Sequence, residues 1–154
     1  MRIQVRAVGR TKTGPERDLF DDYARRFNKI GPGIGLRGLT EVELESGGGL
    51  EREGERLLTK LPENARIIRL DEHGRQLGSK AFATELARYR DDGIGDMVFL
   101  IGGAAGYSRD VINKAPETIA FGPQTWPHRL VRAMLAEQLY RAASILAGTP
   151  YHKA

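Results

Sequence analysis

Residues 97–103, MVFLIGG, form an unbroken apolar run. The run is too short to cross a membrane and too uniform for a strand with one wet face. It predicts a strand buried on both faces, which occurs in the middle of a parallel sheet covered by helices. The rest of the chain alternates around it. IQVRAVG (3–9) and LTEVELE (39–45) alternate apolar and polar side chains, and ARIIRL (65–70) and TIAFG (118–122) read as two short strands. Leu19, Phe20, Tyr23 and Phe27 are helically spaced, which predicts a helix over 15–28 that begins on a proline. A second helix is predicted over 79–90, capped by Ser79, with Phe82, Leu86 and Tyr89 on one face. Residues 108–114 predict a short helix, and 127–147 a long one stopped by Gly148 with Pro150 beyond. GPGIGLRG (31–38) predicts a loop, and 46–60 a weak helix with a glycine-rich, mobile start. The expected fold class is α/β: an open, mostly parallel sheet with helices on both faces, in a single domain over 1–154.

Several chemistries are excluded. The chain has no cysteine, so it has no disulfide scaffold, thiol nucleophile, iron–sulfur cluster or thiolate zinc site. His73, His128 and His152 are too scattered to imply a metal, and none is expected. GxxxxGK[ST], GxSxG and HExxH are all missing. No apolar stretch reaches the ~18 residues of a membrane span. The start, MRIQVRAVGR, lacks the apolar core of an export signal, so a cytoplasmic protein is expected. The net charge is +4, and eighteen of the 24 basic residues are arginine, whose planar fork suits phosphates and base edges. A GC-rich coding sequence produces the same excess, so charge points toward a polyanionic partner without establishing one.

The candidate site lies where strands end. Ligands of open α/β sheets bind beyond the carboxyl ends of the strands. Three predicted exits stand out: Leu70 with Asp71, Gly102 with Gly103, and Gly122 with Pro123. The two glycines after the apolar run let a ligand press on bare backbone, and GPQTWP (122–127) carries backbone groups that no ladder can use. Trp126-Pro127 opens the last helix, with Thr125 a candidate cap. His128 falls on its first turn, at the positive end of the helix dipole, a place for an imidazole that accepts a proton. Arg132 is basic on an otherwise apolar helix and needs an exit or a partner, while Glu137 and Arg141 form a routine helix pair. The tail, TPYHKA, offers an aromatic, an imidazole and an ammonium for a base and a phosphate, although a frayed terminus reads the same. The last helix is apolar over most of its girth, so it lies deep in one domain or packs on a second copy. The second reading predicts a dimer. A nicotinamide-dependent oxidoreductase is an alternative drawn from GGAAG, but the spaced glycines and following acidic residue of that fingerprint are missing.

LDEHGRQLGS, FLIGGAAGY and TWPHRLVRAMLAEQLYRAASILAGTPYHK, together with the start and the YARRF segment, resemble the bacterial SPOUT-class pseudouridine N3-methyltransferases of large-subunit ribosomal RNA. The resemblance runs from end to end. It implies a trefoil knot near the C-terminus, which periodicity cannot reveal and the general scarcity of threaded chains argues against. It implies a homodimer with S-adenosyl-L-methionine in the knot loops. By motif position, the cofactor contacts would be Leu70, Gly103, Gly122, Pro123, Gln124, Thr125, Trp126 and Pro127. His128 would be catalytic, and Arg132, Tyr151 and Lys153 would meet the RNA within the assembled ribosome. Three departures are visible. Ala104-Ala105 stands where the family often has a carboxylate, Lys153 where it commonly ends in arginine, and Trp126 where it usually has leucine. The first keeps open a non-catalytic, ribosome-associated RNA-binding factor on the same fold.

Overall fold

The computed structural model describes residues 1–153. Five strands, β1 (Arg2–Val8), β2 (Leu39–Leu44), β3 (Arg66–Gln76), β4 (Asp96–Ile101) and β5 (Thr118–Ala120), form one sheet in the order β2-β1-β4-β3-β5. All four pairings are parallel. Helices α1 (Pro15–Ile30), α2 (Leu50–Leu58), α3 (Ser79–Asp91), α4 (Arg109–Lys114) and α5 (His128–Ala147) connect them, with a short 3-10 turn at Gly31–Ile34. β4 is central. Its Met97, Phe99 and Ile101 enter the core shared with α1, α3 and α5, while Val98 and Leu100 enter a smaller core with Leu57 of α2 and Val111 of α4. A strand between two helical layers has no wet face, which is why the run from Met97 onward carries no polar side chain.

The ends of several elements differ from expectation, each for a local reason. β3 continues past Leu70 to Gln76, with a register shift between Leu70 and Arg75 opposite Ile119. The extension is polar, so alternation could not reveal it. It depends on Gly74, where an added Cβ would lie 2.7 Å from the Ile119 carbonyl carbon. After the expected glycine start, α2 runs from Leu50 and ends at Leu58, two residues short of the expected end. Ser79 does not cap α3. Gly78 does, and the Ser79 hydroxyl instead donates to Gln138 of α5 at 2.8 Å. Gly148 stops α5 with φ 73°, the left-handed conformation that glycine adopts without strain.

α5 explains its own apolar girth. It packs on α1 and α3, and Leu135, Leu139, Ala142 and Ala143 are fully buried in the larger core. Its apolar surface is therefore consumed mostly within one chain, and girth alone does not call for a second copy.

Candidate active site

β4 and β5 flank β3, so the three predicted exits are neighbours, and they open into one cavity of about 370 Å³. Size and composition are those of a small-molecule site: mostly apolar walls with a few polar groups. Ile101, Ile112, Ile119, Phe121 and Val131 supply apolar walls; Asp71, Glu72 and His128 supply polar ones. Of the predicted cofactor residues, Leu70, Gly103, Gly122, Gln124, Thr125 and Trp126 line this cavity, as does His128. Pro123 and Pro127 do not, and Pro127 is instead the N-cap of α5.

The floor is pinned by a residue that motif reading passed over. The Tyr107 hydroxyl lies 2.6 Å from the Leu70 carbonyl and 2.9 Å from that of Leu100, so one proton is shared between the ends of β3 and β4. Burial pushes its phenol well above the ordinary tyrosine range. The Arg69 guanidinium stacks 5.0 Å from the Tyr107 ring and donates through Nε to the Ala115 carbonyl at 2.5 Å. An aromatic a few residues past a buried strand was the available signal, but aromatics there usually fill core.

The far wall is a folded loop. Gly122 has φ 93°, which turns the chain back on itself after β5. The Trp126 indole N–H donates to the Phe121 carbonyl at 3.0 Å and closes residues 121–126. The Thr125 hydroxyl donates to Glu72 at 2.5 Å, so Thr125 ties the loop to the β3 extension instead of capping α5. Asp71, expected at the first exit, lines the wall, and Glu72 beside it escapes a reading of the sequence because alternation ends the third strand at 70.

The glycines after β4 line the cavity, as expected of bare backbone there, and are also closely packed by their own fold. A Cβ on Gly102 would lie 2.7 Å from the Gly106 carbonyl oxygen, and one on Gly103 would meet Glu53 Oε1 at 3.1 Å and Val8 at 3.3 Å. The turn itself demands Gly102, while at Gly103 the neighbours are side chains of α2 and β1 that need give only a few tenths of an ångström. The carbonyl of Gly103 accepts from the Gly106 amide at 3.0 Å, and Ala104 and Ala105 ride exposed on this turn.

The RNA-facing expectations fare unequally. Arg132 is only 3% exposed. Its guanidinium donates to Glu43 at 2.6 Å, Glu41 at 3.2 Å and the Gly9 carbonyl at 3.1 Å, so no donor is turned to a phosphate. It found a partner, not an exit. Burial raises the carboxyl of Glu41 above its ordinary range. Burial would raise Glu43 too, but the Thr11 amide and Arg132 outweigh it and hold it low. Tyr151 packs back on the chain, its ring 4.7 Å from Tyr140 and its hydroxyl donating to Glu137 at 3.0 Å. Burial, then Tyr23 and Glu137, raise its phenol. Lys153 is exposed. Tyr151 and Lys153 follow the C-terminal end of α5 while His128 begins it, and its 20 residues span about 30 Å. The tail folds back along α5 as far as Glu137, and none of residues 149–153 lines the cavity. Among the described residues no three His, Cys, Asp or Glu side chains cluster as metal ligands, and no helix is long and apolar enough to cross a membrane.

A parallel α/β sheet with a folded loop and a helix head closing one cavity at three strand exits is the arrangement in which open α/β proteins bind small ligands. Over residues 1–152 the chain matches the family described as "Predicted SPOUT methyltransferase", and it belongs to that family of methyltransferases. It is 66% identical over 154 residues to the ribosomal RNA large subunit methyltransferase H of Hyphomonas neptunium, covering all of both chains. It is 48% identical to the protein of that name from Dinoroseobacter shibae and 46% identical to that from Nitrobacter winogradskyi, with 99% of each chain covered. The family sets aside the nicotinamide-dependent alternative.

Proposed function

We propose that this methyltransferase moves the methyl group of S-adenosyl-L-methionine to N3 of a pseudouridine in large-subunit ribosomal RNA. It acts as a homodimer on assembled ribosomes in the cytoplasm. The observation that carries the reading is the convergence of three strand exits and the 121–127 loop on one cavity, in a chain that matches ribosomal RNA large subunit methyltransferase H along its whole length. The cavity suits the cofactor's chemistry. Apolar walls fit an adenine ring, loop backbone groups fit its edge, and Asp71 and Glu72 suit a cation. S-adenosyl-L-methionine supplies a methyl group already activated by a sulfonium charge.

The protein's work is then positional, and orientation can supply about 7–11 kcal/mol of such a barrier. Leu70, Gly103, Gly122, Gln124, Thr125 and Trp126 hold the donor. Tyr107 keeps two of the exits in register. His128 is exposed at the cavity mouth, where its imidazole accepts the N3 proton directly or through a water, worth roughly 10²–10⁴-fold. The separation of the tail from the cavity along α5 supports a dimer in which Tyr151 and Lys153 of one copy serve the other's site. The knot belongs to the same proposal, supported by the return of residues 121–127 across the β3 extension at Glu72.

The test is transfer of labelled methyl groups to ribosomes that lack the modification. Incorporation at N3 of a large-subunit pseudouridine is expected. Cofactor binding without any transfer would instead favour a non-catalytic ribosome factor on this fold. His128→Ala should slow single-turnover transfer at saturating cofactor, and an unchanged rate would remove His128 from the chemistry.

A further inference from the structure

The connection between β1 and α1 is tied down more firmly than a surface loop requires. The Gly9 amide donates to the Leu44 carbonyl at 2.7 Å, and the Gly9 carbonyl accepts from Arg132 at 3.1 Å. The Thr11 amide donates to Glu43 at 2.6 Å, and the Thr11 carbonyl accepts from Arg17 Nε at 2.8 Å. Arg17 and Arg132 are themselves held by Glu41 and Glu43. Two guanidiniums and two carboxylates, all largely shielded from solvent, balance one another. Such a network is a weak source of stability, because desolvation offsets the attraction. Its visible consequence is a loop held at four main-chain atoms. Thr11 points inward, and Arg10 and Lys12 on either side of it are exposed or nearly so.

The same network ties this loop to α5 at Arg132, next to Val131 and one turn from His128, both of which line the cavity. Arg129 lies three residues before Arg132, on the same face of α5 and one turn nearer the helix start, next to His128. It is exposed. Among the described residues, neither Lys12 nor Arg129 has an acidic partner within ion-pair distance, and Arg10 meets only the exposed Glu45, at 2.7 Å. The charges inside balance one another, and outside Lys12 and Arg129 are uncompensated while Arg10 shares an exposed pair. The edge carries neither of the two large exposed hydrophobics, Leu19 and Ile112, whereas the core of a protein–protein interface is apolar. Fixed cations without apolar surface suit a polyanion backbone.

We propose that Arg10, Lys12 and Arg129 form a phosphate-gripping edge that seats the backbone of the RNA stem carrying the target base beside the cofactor cavity. This deepens the function proposed above and rests on it. The edge positions the stem; it reads no sequence.

The test is equilibrium binding to unmodified ribosomes across about 50–200 mM salt, alongside methylation kinetics. In the double variant Lys12→Gln/Arg129→Gln, the slope of log K against log salt should become shallower by about 1.5, at ~0.7–0.9 for each phosphate that is no longer neutralised. The KM for ribosomes should rise about tenfold, with a smaller change in kcat. The charge-conserving pair Lys12→Arg/Arg129→Lys should recover most of the slope. Arg37→Gln, an equal charge change per site at the opposite end of the sheet, should leave it unaltered. A double variant with the wild-type slope and KM overturns the edge. So does a double variant that sediments as a smaller species than the wild type, since the cations would then belong to contact between copies. Wild-type protein that binds ribosomes without methylating them would sink the function proposed above, and the salt slope would still decide the edge.

Discussion

Arg132 and Tyr107 show how much depends on where one side chain ends. Both are polar groups in apolar surroundings, and both find their partners within the chain. Replacing Arg132 by methionine leaves two shielded carboxylates, Glu41 and Glu43, with Arg17 as their one remaining guanidinium, so unfolding free energy should fall, by at most about 3–5 kcal/mol. Adding Glu43→Gln should recover part of that loss, as read by urea denaturation of both variants. Tyr107→Phe strips the shared proton from the Leu70 and Leu100 carbonyls and should cost about 1–3 kcal/mol. The phenol is raised above the ordinary tyrosine value of 10.0, so the stability it contributes is present below that pH and drains away as pH rises past it. The phenylalanine variant should therefore lose less stability than wild type between about pH 9 and 11, and equal alkaline losses would show that Tyr107 carries no such linkage.

Strand pairing, not side-chain chemistry alone, builds the cavity's third wall. β5 has only three residues, Thr118–Ala120, and part of its pairing is with the β3 extension at Arg75 and Gln76. Gly74 is the point of closest approach. Gly74→Ala would force a Cβ against Ile119 backbone 2.7–2.9 Å away, which cannot rotate aside. A loss of about 1–3 kcal/mol is expected, with a drop of tenfold or more in calorimetric affinity for S-adenosyl-L-methionine as the wall shifts. Gly33→Ala, where an added Cβ meets nothing within 4 Å, should change neither. This element also marks where periodicity runs out. β4 is legible because burial on two faces leaves a continuous apolar stretch. The extension of β3 is not, because DEHGRQ is polar and its pairing depends on one missing Cβ.

Assembly sets what one chain can do. Within a protomer the tail folds back along α5 only as far as Glu137 and does not line the cavity, and the proposed dimer would bring the cavity the tail of another copy. Mixing His128→Ala chains with chains lacking residues 150–154 should restore activity that neither shows alone. The expected level is roughly a quarter of wild type, the share of complete sites in randomly mixed dimers. No recovery would mean that each chain serves its own cavity. Cofactor at a hundred times its Kd should also stabilise the fold by about 2.7 kcal/mol, which a thermal melt reads as a rise of roughly 6–10 °C.

Periodicity and glycine placement were enough to specify a parallel α/β sheet, its helices on both faces, the three exits and the helix head bearing His128. Those features follow from local rules: alternation, apolar runs, and glycine or proline at ends. The path of Arg132 was not written locally, because whether a cation on an apolar helix leaves or pairs depends on what two distant strands bring to it. Glu41 and Glu43 lie some ninety residues earlier in the chain and reach Arg132 only because the sheet and α5 pack together. The same holds for Tyr107 joining β3 to β4 and for Thr125 reaching Glu72. Contacts between segments far apart in the chain have no signature in spacing, and it is those contacts that turn three strand ends into one cavity.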